Sequence, residues 1–382
     1  MRVAVVHDWL VAYGGAERTL ASMLRCYPQA EVFTLLDHMA PGDRAFLKGH
    51  RVHTSFLQNV PFSRRHYRRY LPLMPLAIES LDLSGFDLVL SSSFCVAKGV
   101  ITGPEQLHVS YVHSPMRYAW DMQHEYLREA NLGFGLRGLS TRFLLQWMRS
   151  WDARSSTGID ALVANSEFVA RRIQKCYRRE AKVVNPPVDV EYYRPGTARG
   201  DYYVTVSRLV PYKRVDQIVE AFARMPDRKL VVIGDGPELA RIKSIAGPNV
   251  SVMGHQPASV TREYLQGAKA FIFAAKEDFG IAPVEAQACG TPVIAFGAGG
   301  ALETVIDGRT GLLYSEQSAA GIADAVAGFE ALEQRFDSAG IRAHATKFSE
   351  ARFRRQLVSI VDSAIEENRR IPGAAPRLAL SA

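Results

Sequence analysis

Short runs of aliphatic and β-branched residues alternate, almost from end to end, with stretches whose apolar positions recur every three or four residues. That alternation predicts parallel α/β sheets, because neighbouring parallel strands need a long crossover and the crossover is usually a helix. In the first half the predicted strands are VAVVH (3–7), EVFTLL (31–36), DLVLSS (87–92), HVSYVH (108–113) and ALVANS (161–166). In the second half they are YYVTVS (202–207), KLVVIG (229–234), VSVMG (250–254), AFIFAA (270–275), PVIAF (292–296) and GLLY (311–314). The helix after Lys213 shows its period plainly. Val215, Ile218, Val219 and Phe222 fall at i, i+3, i+4 and i+7 and share one face.

The stretch NPPVDVEYYRPG (185–196) carries three prolines and interrupts both periods, which predicts a linker. The expected organisation is a Rossmann-like domain over 1–185 and a second over 186–348. A helix over 349–370, amphipathic over roughly 349–368, is expected to pack back toward the first domain, and 371–382 is expected to be a loose tail. The chain of 382 residues is long enough for two cores, and 47% hydrophobic with 22% charged residues is an ordinary globular balance. Cys26, Cys95, Cys176 and Cys289 form no CxxC pair, which argues against a disulfide framework or zinc site and suits a reducing cytosol. MRVAVVHDWL reads as a first strand rather than a signal peptide, and no apolar run reaches the roughly 18 residues of a membrane span.

The formal net charge is +7, and the excess is local. SRRHYRRYLP sets Arg64, Arg65, Arg68 and Arg69 around Tyr67 and Tyr70, and ARRIQKCYRREAK adds Arg171, Arg172, Lys175, Arg178, Arg179 and Lys182. Such patches attract phosphate, whether on nucleic acid, a lipid headgroup or a pyrophosphate-linked substrate.

In open α/β sheets ligands bind beyond the carboxyl ends of strands, so the residues just after each strand matter most. Gly14 and Gly15 precede a helix and could let backbone N–H groups meet an anion, or simply make a tight turn. They lack the G-x-G-x-x-G spacing, which lowers the case for a dinucleotide. His113 ends its strand beside Arg117, Tyr118, Trp120 and Asp121; a lone histidine is more often structural than catalytic, but this mix suits a sugar's apolar face and polar rim. Arg208 and Lys213 flank a proline turn, either as solvated cations or as a diphosphate clamp. Gly234 and Gly236 allow close approach after the next strand, and backbone near Met253 and His255 could read a base edge.

AAKEDFGIAPVEAQACG (274–290) then sets Glu277 in a loop and Glu285 in the following helix, with Gly280 and Pro283 between. The N–H groups around Phe279, Gly280 and Ile281 face an anion site at the helix start. Two carboxylates can flank a scissile bond, as in glycosidases. Placed on either side of a helix N-terminus, they either are ordinary acids favoured by the helix dipole or bracket a phosphate, each meeting hydroxyls on one side of it. A nucleotide sugar has that layout.

The constellation resembles the retaining glycosyltransferases of family 4, with the GT-B fold of two doubly wound Rossmann-like domains. EDFGIAPVEAQACGTPVIAFGAGGALETV (277–305) matches the family's E-x-F-G-x-x-x-x-E segment, and VSRLVPYKRVDQIVEAF, VVIGDGPE, VANSEFVARRI and NPPVD follow the family pattern elsewhere. The resemblance implies that Glu285 binds ribose hydroxyls, Glu277 holds donor-sugar hydroxyls, and Arg208 and Lys213 clamp the diphosphate. It implies backbone contacts from Phe279, Gly280 and Ile281, a phosphate contact from Gly15, and His113 near the reaction centre. It also implies a metal-independent reaction with no cofactor; no D-x-D stands at a suitable loop position, Asp82 and Asp87 not forming one. HDWLVAYGGAERTL and YVHSPMRYAWD look most like bacterial mannosyltransferases of surface polysaccharide synthesis that use GDP-mannose.

The expectation is therefore hexosyl transfer, with retention, to a hydroxyl of a glycan acceptor, the departing phosphate helping to take the acceptor proton. The acceptor is expected to be polyprenyl-pyrophosphate-linked, with Arg64, Arg65, Arg68 and Arg69 at an anionic membrane on the inner face of the cytoplasmic membrane, unless that stretch is an ordinary solvated helix face. A UDP-sugar donor in the same family and a GT-B-like UDP-sugar epimerase are the alternatives. A nucleic-acid module would use the basic patches but would not need the glycine and glutamate loops.

Overall fold

The computed structural model describes residues 1–133 and 135–370; the expected tail, 371–382, lies outside the described residues. The chain divides into two units, one of residues 1–187 with the chain from Phe353 onward, the other Val188–Arg352. The polypeptide thus passes from the first unit into the second and returns.

The first unit holds a seven-stranded parallel sheet in the order β3-β2-β1-β4-β5-β6-β7. Its strands are β1 (Val3–His7), β2 (Glu31–Thr34), β3 (Val52–Thr54), β4 (Leu88–Ser93), β5 (Leu107–Val112), β6 (Ala161–Ala164) and β7 (Lys182–Val183). Alternate residues of β1 enter opposite cores: Val3 and Val5 pack in one, Ala4 and Val6 in the other. The first core is closed by the last helix, Glu350–Arg369, through Phe353, Leu357, Ile360, Val361, Ala364 and Ile365. The second core is covered by residues of 57–78 and by the helix Leu136–Ser155.

The second unit holds a six-stranded parallel sheet in the order β10-β9-β8-β11-β12-β13. Its strands are β8 (Tyr203–Val206), β9 (Leu230–Ile233), β10 (Val250–Gly254), β11 (Ala270–Phe273), β12 (Val293–Phe296) and β13 (Gly311–Tyr314). Helix packing follows the period read from the sequence: Val215, Ile218, Val219 and Phe222 of the helix Val215–Ala223 are all buried.

In both sheets the strand order reverses beside the first strand, between β1 and β4 and between β8 and β11. The loops after those strands are where an open α/β sheet offers a crevice. Three elements had no signal in the sequence pattern. β3 and β7 are three and two residues long, too short to show a period of two. The helix Leu136–Ser155 has apolar residues on opposite faces, which erases the one-sided stripe.

Candidate active site

At the reversal point of the second sheet, the loop after β8 carries Arg208 and Lys213 and the loop after β11 carries Glu277. Lys213 Nζ lies 2.6 Å from Glu277 Oε1, and both side chains are largely but not wholly covered. The pair thus joins the two loops across the reversal point. Lys213 also sits over the Phe273 ring, 5.9 Å from its centroid, which fixes the ammonium against an apolar wall. Arg208 is exposed nearby in sequence.

The glutamate loop is held from beneath by the chain after β12. Glu277 and Gly299 form a parallel bridge, and Gly300 N–H donates to the Glu277 carbonyl at 2.8 Å. Gly299 has φ +65°, and a Cβ at Gly300 would overlap the Phe279 backbone, so neither position has room for a side chain. Gly280, at φ +88°, turns the chain into the helix Ile281–Ala288, whose first N–H groups have no intrahelical acceptor. Phe279 is buried edge-on against Phe348, so its backbone, not its ring, is what the loop can offer. Glu285 is buried in the helix. Burial first, and the Glu285 charge second, push the Cys289 thiol up to about 12.

Gly234 and Gly236 have a packing role within the fold. Their φ values are +143° and +157°, and Cβ atoms there would overlap the carbonyls of Ser207 and Leu209. The close approach they permit is that of the Arg208 loop itself, tied by Leu209 N–H to Asp235 O (2.9 Å) and Glu238 N–H to Leu209 O (3.1 Å). Met253 is half-buried and its carbonyl accepts from Gln256 Nε2 at 2.9 Å, while His255 is exposed.

In the first domain, Gly14 caps the helix Gly15–Cys26, and its N–H donates to Glu17 Oε2 at 2.9 Å. The Glu17 carboxylate leads inward to a buried polar row that the sequence reading missed. His7 Nε2 lies 3.5 Å from Glu17 Oε1, His7 Nδ1 is 3.1 Å from Ser92 Oγ, and Ser92 Oγ is 2.9 Å from His113 Nε2. The glycine pair and His113, far apart in sequence, are thus ends of one row at the β1/β4 reversal. Asp8 locks the same corner. Its carboxylate accepts from the backbone N–H groups of Phe94 (2.7 Å), Cys95 (2.9 Å), Val96 (2.5 Å) and Ala97 (2.7 Å).

The residues after His113 do not form the sugar-facing cluster expected of them. Trp120 Nε1 donates to Asp152 Oδ2 at 2.7 Å, Tyr177 OH donates to the same oxygen at 2.9 Å, and Asp152 pairs with buried Lys98. Tyr118 OH meets Cys95 Sγ at 3.1 Å, and Asp121 is paired with Arg172 at 2.7 Å. These polar tips stitch helices to the sheet. Part of the second basic patch is likewise structural, since Arg172 is committed to Asp121 and Ser114, and Arg179 to the carbonyls of Ser156 and Ile159.

Burial pushes the His113 imidazole down to about 3, with His7 adding to the shift, and pushes His108 down to about 4. Both are neutral in the folded chain. Unfolded, they protonate near the ordinary value of about 6.5. Their contribution is therefore fully present above about pH 6.5 and is lost as pH falls toward 4, at about 1.4 kcal/mol per pH unit for each histidine. Urea unfolding at pH 7 and pH 5 should show that loss, and a His108→Gln chain should lose less over the same interval.

Two parallel sheets with polar loops at their reversal points define the GT-B class. Solved structures of that shape cover nearly the whole chain. Sucrose-phosphate synthase from Thermosynechococcus elongatus aligns with a TM-score of 0.73 at 16% identity, over 96% of this chain and all of its own. Anabaena HepE in complex with UDP aligns at 0.71 and 18% identity, over 95% of this chain and all of its own. The family described as "Glycosyltransferase Family 4" matches residues 13–192, and "Glycosyl transferases group 1" matches residues 197–346. Each of the two sheet domains thus matches a glycosyltransferase family model, and the two matches together span most of the chain. A D-inositol 3-phosphate glycosyltransferase of Mycobacterium leprae is 33% identical over 193 residues, 44% of this chain and 45% of its own. One from Catenulispora acidiphila is 29% identical over 245 residues, 55% of this chain and 57% of its own. The chain spans about half the length of the curated relatives it matches. Among the described residues, no helix is long and apolar enough to cross a membrane.

Proposed function

We propose that this chain transfers a hexosyl unit, with retention at the anomeric carbon, from a nucleotide sugar to a hydroxyl of a lipid-linked glycan acceptor in polysaccharide synthesis. The observation that carries the reading is the Lys213–Glu277 pair across the β8/β11 reversal, with Glu285 on the helix that follows. Without donor, the cation and the carboxylate neutralise each other. A diphosphate competes for Lys213, joined by Arg208, and frees the Glu277 carboxylate to accept from sugar hydroxyls. Glu285 takes the ribose side, and the N–H groups of Gly280 and Ile281 face the phosphate.

In the reaction the bond from the anomeric carbon to the diphosphate oxygen breaks, and the acceptor oxygen bonds on the same face. The acceptor proton passes to the departing phosphate. The two cations stabilise the charge that the leaving group gains, the part a metal plays elsewhere. Neutral His113 fits a hydrogen-bonding role toward the sugar through Nδ1 and not that of a proton donor. Gly15 supplies the first domain's anion contact, the Gly14 N–H being held by Glu17, and that domain receives the acceptor.

GDP-mannose is the proposed donor, on the likeness of 7–20 and 111–121 to bacterial mannosyltransferases. A UDP-sugar is the second reading, favoured by a HepE structure described as a complex with UDP-glucose. Thermal shift with GDP-mannose, UDP-glucose and the free nucleotides separates them. The largest stabilisation is expected with GDP-mannose; a larger one with UDP-glucose moves the assignment to the second donor. Silence from every sugar nucleotide sinks the proposal. The proposed location is the inner face of the cytoplasmic membrane, where a polyprenyl-pyrophosphate acceptor is presented.

A further inference from the structure

We propose that the outward face of the helix Leu136–Ser155 is an insertion surface for an anionic lipid bilayer. The helix buries Gly138, Leu145, Met148, Trp151 and Asp152 against the first domain. On the opposite side Leu136, Leu139, Phe143 and Trp147 follow at spacings of three, four and four, which lines them up on one face. They are 41% to 88% exposed. A surface helix normally turns polar residues outward, and a contiguous row of bulky apolar ones marks an interaction surface.

What the row fits is set by the charges beside it. Arg137 is exposed next to Leu136, and Arg142 precedes Phe143. The helix shares its core with the 62–79 segment, Leu145, Met148 and Trp151 packing with Met74, Ala77 and Ile78, and Trp151 Nε1 donates to Glu79 Oε1 at 2.7 Å. Both elements therefore cover the same face of the first sheet. That second segment adds exposed Phe62, Leu73 and Leu76, with exposed Arg64, Arg65, Arg68 and Arg69. Among the described residues, none of those four arginines has a carboxylate within ion-pairing distance. Phe62 is held outward in a left-handed turn, φ 60°, a conformation that costs a bulky residue energy.

An apolar phase edged by negative charge satisfies both sets at once. Leu and Phe enter the acyl region, Trp147 sits at its boundary, and the guanidinium groups meet headgroup phosphates. A second copy of this chain on the same face would instead oppose its arginines to these. The inference concerns attachment only; its purpose rests on the proposed lipid-linked acceptor.

The test is sedimentation of the full chain with vesicles of mixed phosphatidylglycerol and phosphatidylcholine, and with phosphatidylcholine alone. Binding is expected to the mixed vesicles, weakened by salt. Leu139→Ser with Phe143→Ser should weaken it by about ten-fold or more. Arg64→Gln, Arg65→Gln, Arg68→Gln and Arg69→Gln together should weaken it about as much and flatten the salt dependence. The changed residues are exposed, so circular dichroism should match the parent. Unchanged binding by the Leu139/Phe143 variant overturns the proposal. So does a concentration-dependent dimer that this variant abolishes, which would make the face a contact between copies. Transfer to a short water-soluble acceptor is expected to be unaffected by either set. If the vesicle result holds but no transfer occurs at all, the attachment stands and the proposed function fails.

Discussion

Lys213→Ala lowers kcat/KM for nucleotide-sugar turnover by about 10²–10³-fold, the usual loss when one preorganised stabiliser of a developing negative charge is removed. Two effects combine. The leaving diphosphate loses a cation, and Glu277, largely covered and 2.6 Å from that cation in the free chain, loses one ion-pair partner. The second effect would place a carboxylate opposite an incoming diphosphate, so donor affinity falls along with turnover. Lys213→Arg keeps the charge but spreads it over a larger planar fork in place of the compact ammonium that stands 2.6 Å from Glu277, and only part of the activity should return. Steady-state kinetics with donor titration, beside an unfolding curve for each variant, separates loss of the site from loss of the fold. Turnover unchanged in Lys213→Ala would mean that the β8/β11 reversal does not bind the diphosphate.

Asp8→Ala removes more stability than any other single change considered, about 4 kcal/mol or more. Four backbone N–H groups converge on that carboxylate, and leaving a buried donor unsatisfied costs about 1–3 kcal/mol each. Against the roughly 5–15 kcal/mol that holds a domain folded, the loss is severe. Asp8→Asn should recover little, because one side of the amide would turn N–H against N–H. Denaturant midpoints, or amide exchange at Phe94 to Ala97, read the effect directly. A stable Asp8→Ala chain with those amides still protected would show that water replaces the carboxylate.

The parts of the molecule legible in the sequence are those written locally. The EDFG loop and its helix could be placed because Gly280 and Pro283 punctuate a buried strand from a helix within a few residues. Lys213 was found by the same logic. That Lys213 and Glu277 touch was not legible, since they follow different strands and only the order β8-β11 brings their loops together. Asp8, His7 and Ser92 escaped for the same reason: each is an ordinary polar residue at a strand end until β1 and β4 pair side by side. Trp120 and Tyr118 misled because an aromatic ring with a polar tip suits a sugar and a core equally well, and here Asp152 and Cys95 take the tips. Gly234 and Gly236 illustrate a related point. The sequence signalled close approach, and the partner proved to be the protein's own backbone.

The second unit is threaded into the first, because the chain leaves at Pro187 and returns at Phe353. A ribosome makes the strands of the first sheet early, yet one of its two cores needs Phe353, Leu357, Ile360 and Val361, which emerge only after the whole second unit. The later-made unit has all its strands before the earlier-made one has its last helix. Nascent chains therefore carry an open apolar sheet face until the second unit has been made, and a stop codon gained before Phe353 would spoil the domain that was begun first.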